Sequence, residues 1–69
     1  MITIDKYQQF HLFCLESYKA EKKMSGKDAL HEFEIFQVFD FLQSTFESLH
    51  TRGKNYIVTV IADFIQNRK

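Results

Sequence analysis

The sequence contains no proline and no tryptophan, and it has one cysteine and two glycines among its 69 residues. Without proline, no position of the chain lacks the backbone N–H that a helix interior requires. The single cysteine, Cys14, excludes an internal disulfide and therefore a disulfide-stapled secreted scaffold. The glycines, Gly26 and Gly53, are isolated from each other, so the chain has no glycine-rich phosphate-binding loop.

Net charge is also absent, because nine basic and nine acidic residues cancel. A nucleic-acid-binding domain of this size usually has a strongly basic balance, since neutralising phosphates supplies most of the non-specific affinity. No apolar run approaches the roughly 20 residues that span a bilayer. The segment 1–6 lacks the charged and apolar regions of a signal peptide. We therefore expect a cytoplasmic protein that binds no membrane and for which nucleic acid is the minor alternative.

Aromatic residues are abundant, with eight Phe and three Tyr. Each aromatic side chain buries roughly 150–250 Å², so a few positions can supply much of a core. A chain of this size still buries only about 60% of the surface that it exposes when unfolded. The composition predicts one packed domain over residues 1–69, of marginal stability, rather than a disordered chain.

Apolar residues recur at spacings of three and four, which predicts an all-α bundle of four short helices. The first helix is predicted over residues 5–22, with Asp5 at its N-terminus. The second is predicted over residues 26–36, with Ser25 as its cap. The residues expected to face the core from these two helices are Tyr7, Phe10, Cys14, Tyr18, Ala29, Leu30 and Phe33.

The third helix is predicted over residues 38–49 and the fourth over residues 54–67. We expect Gly53 to allow a positive φ in the turn between them, and Thr51 or Asn55 to cap the fourth helix. Residues 56–61 are strand formers, so a strand is the alternative there. Helical spacing of Ile57, Ile61 and Ile65 favours the helix.

Residues that could carry catalysis are sparse. His11 and Cys14 are three residues apart, but two ligands do not complete a tetrahedral zinc site. A nucleophilic cysteine needs an exposed, electropositive setting, whereas Cys14 lies on the stripe that is predicted to be buried. We therefore expect no enzymatic activity, no metal and no cofactor.

Four lysines cluster around the first turn, at Lys19, Lys22, Lys23 and Lys27. Their structural interpretation is preferred, because lysines near a helix C-terminus complement its negative dipole end. The alternative is a small regulator that binds nucleic acid through this group.

The most specific polar motif is the turn that begins at His50. On the structural interpretation, His50 covers the end of the third helix. The turn could also recognise a partner, since interfaces are rich in exposed aromatic and Arg residues. Val60 either enlarges that surface or extends the core. The candidate partner-binding residues are His50, Arg52, Lys54, Tyr56 and Val60.

Residues 49–68, with Leu-His-Thr, a polar residue, Gly and then Tyr-Ile-Val, resemble a family of small bacterial proteins, number 3791 among the domains of unknown function. The Val-Phe-Asp-Phe-Leu stretch at 38–42 is similar to the same family. Its members often have Gly where this chain has Gln37, and acidic residues at the positions of Thr59 and Val60.

The resemblance implies a small all-helical bacterial protein, often encoded beside proteins that look like ADP-ribosyltransferase-type toxins, with no catalytic residues to assign. We expect a non-enzymatic protein-interaction module with an antitoxin-like or accessory role. Its partner would be another protein or a second copy of the chain, with no small-molecule substrate.

Overall fold

A computed structural model describes residues 5–69, and the first four residues of the segment considered for a signal peptide lie outside this range. The described chain is all-α, as predicted, and residues 56–61 are helical rather than a strand. Its helices are α1 (Lys6–Lys22), α2 (Gly26–Ile35), α3 (Val38–Ser44), α4 (Phe46–Leu49) and α5 (Lys54–Arg68).

Helix α1 begins at a capping box, which confirms Asp5 as its N-cap. The Asp5 carboxylate accepts the backbone N–H of Gln8 at 2.8 Å, and the Gln8 side chain accepts the backbone N–H of Asp5 at 3.3 Å. Two otherwise unpaired amides are thereby satisfied. The helix ends at Lys23, which adopts a left-handed conformation with φ 55°.

Helix α2 also begins as predicted, because Ser25 Oγ accepts the backbone N–H of Asp28 at 3.1 Å. It ends one residue earlier than expected, with Phe36 as its C-cap. Gln37 then takes a left-handed conformation, φ 57° and ψ 40°, and the next helix starts immediately after it. The predicted break between residues 36 and 38 is confirmed.

The single helix predicted over residues 38–49 is instead two helices, α3 and α4, which meet at Thr45. Thr45 has φ −106° and ψ 10°, outside the usual helical range. Its hydroxyl and that of Ser44 both donate to the Phe41 carbonyl, at 2.7 and 2.9 Å. Hydroxyls that bond back to the preceding turn compete with the helix ladder and bend it.

One core joins all five helices, and most of the predicted stripe residues belong to it. Leu30 is an exception: it is 40% exposed, whereas Ala29 and Phe33 are fully buried. Helix α2 therefore buries a narrower face than expected. Val58 is an addition, since it is only 5% exposed. The fully buried side chains with the largest volumes are Phe33, Leu42, Ile57, Ile61, Ile65, Val38 and Cys14.

Helix α1 contacts α2, α3 and α5. Ring contacts connect these elements. Phe33 lies 5.4 Å from both Tyr18 and Phe39, and Phe41 stacks on Phe64 at 4.1 Å. Such pairs add about 0.5–1.5 kcal/mol each beyond the area that they bury. The aromatic residues therefore hold α1, α2, α3 and α5 in their relative positions.

Candidate functional site

The turn between α4 and α5 does not need its glycine for backbone reasons. Gly53 is the N-cap of α5 with φ −72° and ψ 161°, an extended conformation that any residue can adopt. The prediction of a positive φ at Gly53 is therefore wrong. No side chain caps α5, so the prediction that Thr51 or Asn55 does so is also wrong. The first turn of α5 consequently presents backbone N–H groups to the surface.

His50 is attached to the helix that precedes it, as predicted. Its Nδ1 lies 2.7 Å from the Phe46 carbonyl oxygen, and its ring stacks on the Phe46 ring at 4.3 Å with an interplanar angle of 1°. A carbonyl oxygen can only accept, so Nδ1 carries the proton in this contact. Nε2 is then the nitrogen that can meet a partner, while the stacked ring fixes its direction.

Arg52 and Tyr56 form the exposed part of the same region. The Arg52 guanidinium carbon lies 5.3 Å from the centre of the Tyr56 ring, within the range of a cation–π contact. Tyr56 is nevertheless 52% exposed. Lys54 is exposed at the first position of α5. The turn and the start of α5 thus bring together a directed imidazole, the cations of Arg52 and Lys54, and an aromatic ring.

Val60 differs from the other four candidates. It is one helical turn beyond Tyr56, so the two side chains are neighbours on α5. Val60 is half-buried and packs against the core. The structure therefore supports its interpretation as an extension of the core, with a remaining edge next to Tyr56.

The structure also contains a groove that the sequence did not predict. It lies between the C-terminal half of α1, helix α2 and the end of α5. In this groove the Tyr18 hydroxyl donates to Glu32 Oε1 at 2.8 Å. The pKa of Tyr18 is raised to about 12, mainly by burial and to a smaller extent by the hydrogen bond and charge of Glu32. A signal did exist, because a tyrosine on a buried stripe requires a partner for its hydroxyl. The sequence does not identify Glu32 as this partner, because the partner depends on how α1 packs against α2.

His11 and Cys14 do not form a catalytic pair. Cys14 is completely buried, and burial raises the pKa of its thiol to about 12, so it remains protonated at neutral pH. His11 packs against Phe39, with ring centres 5.4 Å apart. Across residues 5–69, no three His, Cys, Asp or Glu side chains come together in an arrangement that could hold a metal ion.

The lysine group around the first turn is partly engaged in local contacts. Lys19 Nζ lies 3.0 Å from Glu16 Oε2. Lys22 borders the groove beside Tyr18 and Asp63. These contacts suit solvated helix ends, and nucleic-acid binding through the group stays a prediction.

Within the described range, no helix is long and apolar enough to cross a membrane. A family model described as "Protein of unknown function (DUF3791)" matches residues 9–68, which confirms the resemblance seen in the sequence. No curated protein and no solved structure matches the chain.

Proposed function

Because the chain belongs to the DUF3791 family of proteins of unknown function, we propose its role from its surface: it is a non-enzymatic, cytoplasmic protein-interaction module. The contact surface is the turn before α5 together with the first turn of that helix. Its residues, here called the Tyr56 face, are His50, Arg52, Lys54, Tyr56 and the exposed edge of Val60.

The observation that carries this proposal is the Arg52–Tyr56 pair. Tyr and Arg are enriched among the few residues that supply most of the binding energy of protein interfaces. Here the two side chains contact each other at 5.3 Å, and Tyr56 remains 52% exposed. The pairing reduces the entropy that each side chain would lose on binding. A partner can therefore bury an already ordered aromatic surface.

The charge on this face indicates what a partner should offer. Arg52 and Lys54 are cationic and form no ion pair with residues 5–69. Complementary potentials accelerate association and select among partners. We therefore expect the partner to present an acidic surface around an apolar pocket that accepts the Tyr56 ring.

Further apolar surface favours association with a protein rather than with a small molecule. Large apolar side chains are exposed elsewhere on a chain of only 69 residues, and covering them with another protein would remove apolar surface from water. Self-association is thus the second form of the same proposal. These side chains and their exposed fractions are Leu12 53%, Phe13 44%, Leu30 40% and Ile35 56%.

The family resemblance suggests where to find the partner. If the protein is bacterial and encoded beside a toxin of the ADP-ribosyltransferase type, an antitoxin-like or accessory role follows. The product of the adjacent gene is therefore the first protein to test.

The test is a binding measurement between the purified chain and that gene product by isothermal titration calorimetry. We expect Tyr56→Ala to weaken binding by about 10-fold or more, as at an interface hot spot. Gln43→Ala on α3 is the control, since Gln43 is exposed and lies outside both proposed contact surfaces. Equal affinities for the wild type and Tyr56→Ala would refute a role for the Tyr56 face.

The self-association form is tested by size-exclusion chromatography with light scattering over a range of concentrations. A mass that rises with concentration, and that Leu12→Ala or Ile35→Ala lowers toward the monomer value, is the expected result, since both side chains belong to the exposed apolar surface. A monomer at all concentrations, combined with no binding to the adjacent gene product, would contradict the proposed function in both forms.

A further inference from the structure

The groove between α1, α2 and α5 has the dimensions of a binding site. Its volume is about 390 Å³, within the range of about 300–1,000 Å³ that is usual for ligand sites. Its first lining residue on α5 is Ala62, six residues after Tyr56, which corresponds to about 9 Å along the helix axis, and no residue of the Tyr56 face lines it. It is therefore separate from the Tyr56 face.

The Glu32 carboxylate is held in this groove by a buried phenol. Tyr18 is 5% exposed, and its hydroxyl donates to Glu32 Oε1 at 2.8 Å. Because the Tyr18 ring is packed against Phe33, its hydroxyl has little freedom to move. Glu32 is thereby oriented before any ligand arrives, which lowers the entropic cost of binding.

The second oxygen of Glu32 forms no ion pair with the described residues. The one ion pair within residues 5–69 joins Lys19 to Glu16, outside this groove. Glu32 Oε2 accepts no hydrogen bond from that part of the chain. Asp63 lines the groove from α5 and is likewise without an ion pair in the described chain. Two carboxylates on different helices thus border one cavity.

The remaining lining is apolar at the walls and carries exposed lysines at the rim. Met24, Ala62 and Ile65 supply apolar surface, while Lys22 and Lys69 are exposed. Lysine side chains are long and strongly hydrated, so both ammonium groups can turn into solvent when a cation enters. Glu32, which Tyr18 holds in place, and Asp63 then leave negative charge in the groove, and this charge favours a cation.

We propose that this groove binds the guanidinium group of an arginine side chain from a partner protein. A guanidinium is planar, donates to a carboxylate through two parallel N–H groups, and is more weakly hydrated than an ammonium. Its donor edge meets Glu32 and Asp63, while its faces and the aliphatic part of the arginine lie against Met24, Ala62 and Ile65.

The experiment is a nuclear magnetic resonance titration of the ¹⁵N-labelled full chain with the capped peptide acetyl-Gly-Arg-Gly-amide. We expect saturable shifts at the backbone amides of Lys22, Glu32 and Gln66. The matched peptide with citrulline, which has the same shape without the charge, should bind at least about 10-fold more weakly. The lysine peptide should also be weaker, because it lacks the planar pair of donors.

Variants of the chain locate the effect. Glu32→Gln should weaken the arginine peptide by about 10-fold, the size expected for losing a charged partner. Glu34→Gln, an exposed carboxylate on the same helix, is the control and should leave affinity unchanged. Asp63→Asn provides a second test at an exposed position, in case Glu32→Gln impairs folding.

Tyr18→Phe tests the anchoring of the carboxylate. This change retains the ring and removes the hydroxyl that donates to Glu32, so weaker peptide binding with an intact fold is expected. Tyr56→Ala should not alter the titration, which separates this site from the proposed function above.

Three results would overturn the proposal: no saturable shifts with the arginine peptide, equal binding of the citrulline peptide, or equal effects of Glu32→Gln and Glu34→Gln. A titration with free L-arginine distinguishes a guanidinium on a partner protein from one on a small molecule. Capped peptide binding at least as tightly as L-arginine supports a partner side chain. L-Arginine binding more than about 10-fold tighter would instead assign the groove to a small molecule.

Discussion

His11 is the residue whose surroundings should make the stability of the fold depend on pH. It is half-buried beside Phe39, and its Nε2 has no hydrogen-bond partner in the described chain. Loss of hydration on burial lowers its pKa from 6.5, and the charge of Asp5 only partly offsets this. The folded protein therefore favours the neutral ring.

Stability should consequently decrease in mild acid. Between the lowered folded pKa and the unfolded value of 6.5, the unfolded chain binds more protons, so the free energy of unfolding rises with pH up to about 6.5. The free energy of unfolding should therefore fall as the pH drops below about 6.5. Urea denaturation at pH 5 and pH 8 measures this difference.

His11→Phe should reduce the pH dependence, because it retains an apolar ring and removes the titrating group. His31→Gln is the matched control, as His31 is exposed on α2. If His11→Phe preserved the full difference between pH 5 and pH 8, His11 would not be its source.

Gln37 carries backbone strain that glycine would relieve. Its φ of 57° lies in the left-handed region, which costs a non-glycine residue about 1–2 kcal/mol. Gln37→Gly loses about 0.5–1 kcal/mol of this gain to the greater freedom of the unfolded chain. We predict a net stabilisation of up to about 1.5 kcal/mol, measured by thermal and urea denaturation.

Gln37→Ala is the control, because it keeps the Cβ atom and should give no such gain. Lys23→Gly provides an independent test at φ 55°. Destabilisation by both glycine variants would show that the side chains of Gln37 and Lys23 stabilise the fold by more than their backbone strain costs.

At the scale of helices, starts were predictable where one side chain determines them. Asp5 and Ser25 each accept an amide three residues ahead, and this spacing is visible in the sequence. The bend at Thr45 depends on whether its hydroxyl donates to solvent or to the Phe41 carbonyl. The spacing of apolar residues in the sequence does not predict which of these occurs. The exposure of Leu30 depends on which neighbours cover α2, which is a tertiary property.

Helix α5 lacks the side-chain cap that α1 and α2 possess. Gly53 has N-cap geometry, and a Cβ atom at this position would meet nothing within 4 Å. Gly53→Ser should therefore stabilise the fold by a few tenths of a kcal/mol, because the hydroxyl can accept an otherwise unpaired amide of the first turn.

The measurement is the midpoint of urea unfolding, with Gly53→Ala as the control that adds a Cβ atom without an acceptor. A larger gain for serine than for alanine would attribute the effect to capping. A loss of stability with both variants would contradict the open space around Gly53.

The two candidate sites differ in how much of each could be predicted. The Tyr56 face is local, since His50, Arg52, Lys54 and Tyr56 belong to one turn and the start of one helix. The groove combines residues that are distant in sequence, and its central contact joins Tyr18 to Glu32 across two helices. Helical periodicity predicts that Tyr18 is buried, but it does not identify the carboxylate that meets the hydroxyl.

The whole fold depends on few side chains, and Phe33 tests this most directly. It is completely buried and contacts the rings of Tyr18 on α1 and Phe39 on α3. Phe33→Ala should cost about 3–5 kcal/mol. A chain of 69 residues has a total stability of about 3–10 kcal/mol, so this variant should lose much or all of its helical circular dichroism at 25 °C.

Phe13→Ala is the matched control on the same scale, because Phe13 is 44% exposed and its loss should cost no more than about 1 kcal/mol. Urea titrations of both variants, followed by circular dichroism, should show one cooperative transition for Phe13→Ala at nearly the wild-type midpoint. If Phe33→Ala unfolded at that midpoint as well, α2 could not be joined to α1 and α3 through this ring. The groove would then lose its support, because the same packing of α1 against α2 places Tyr18 beside Glu32.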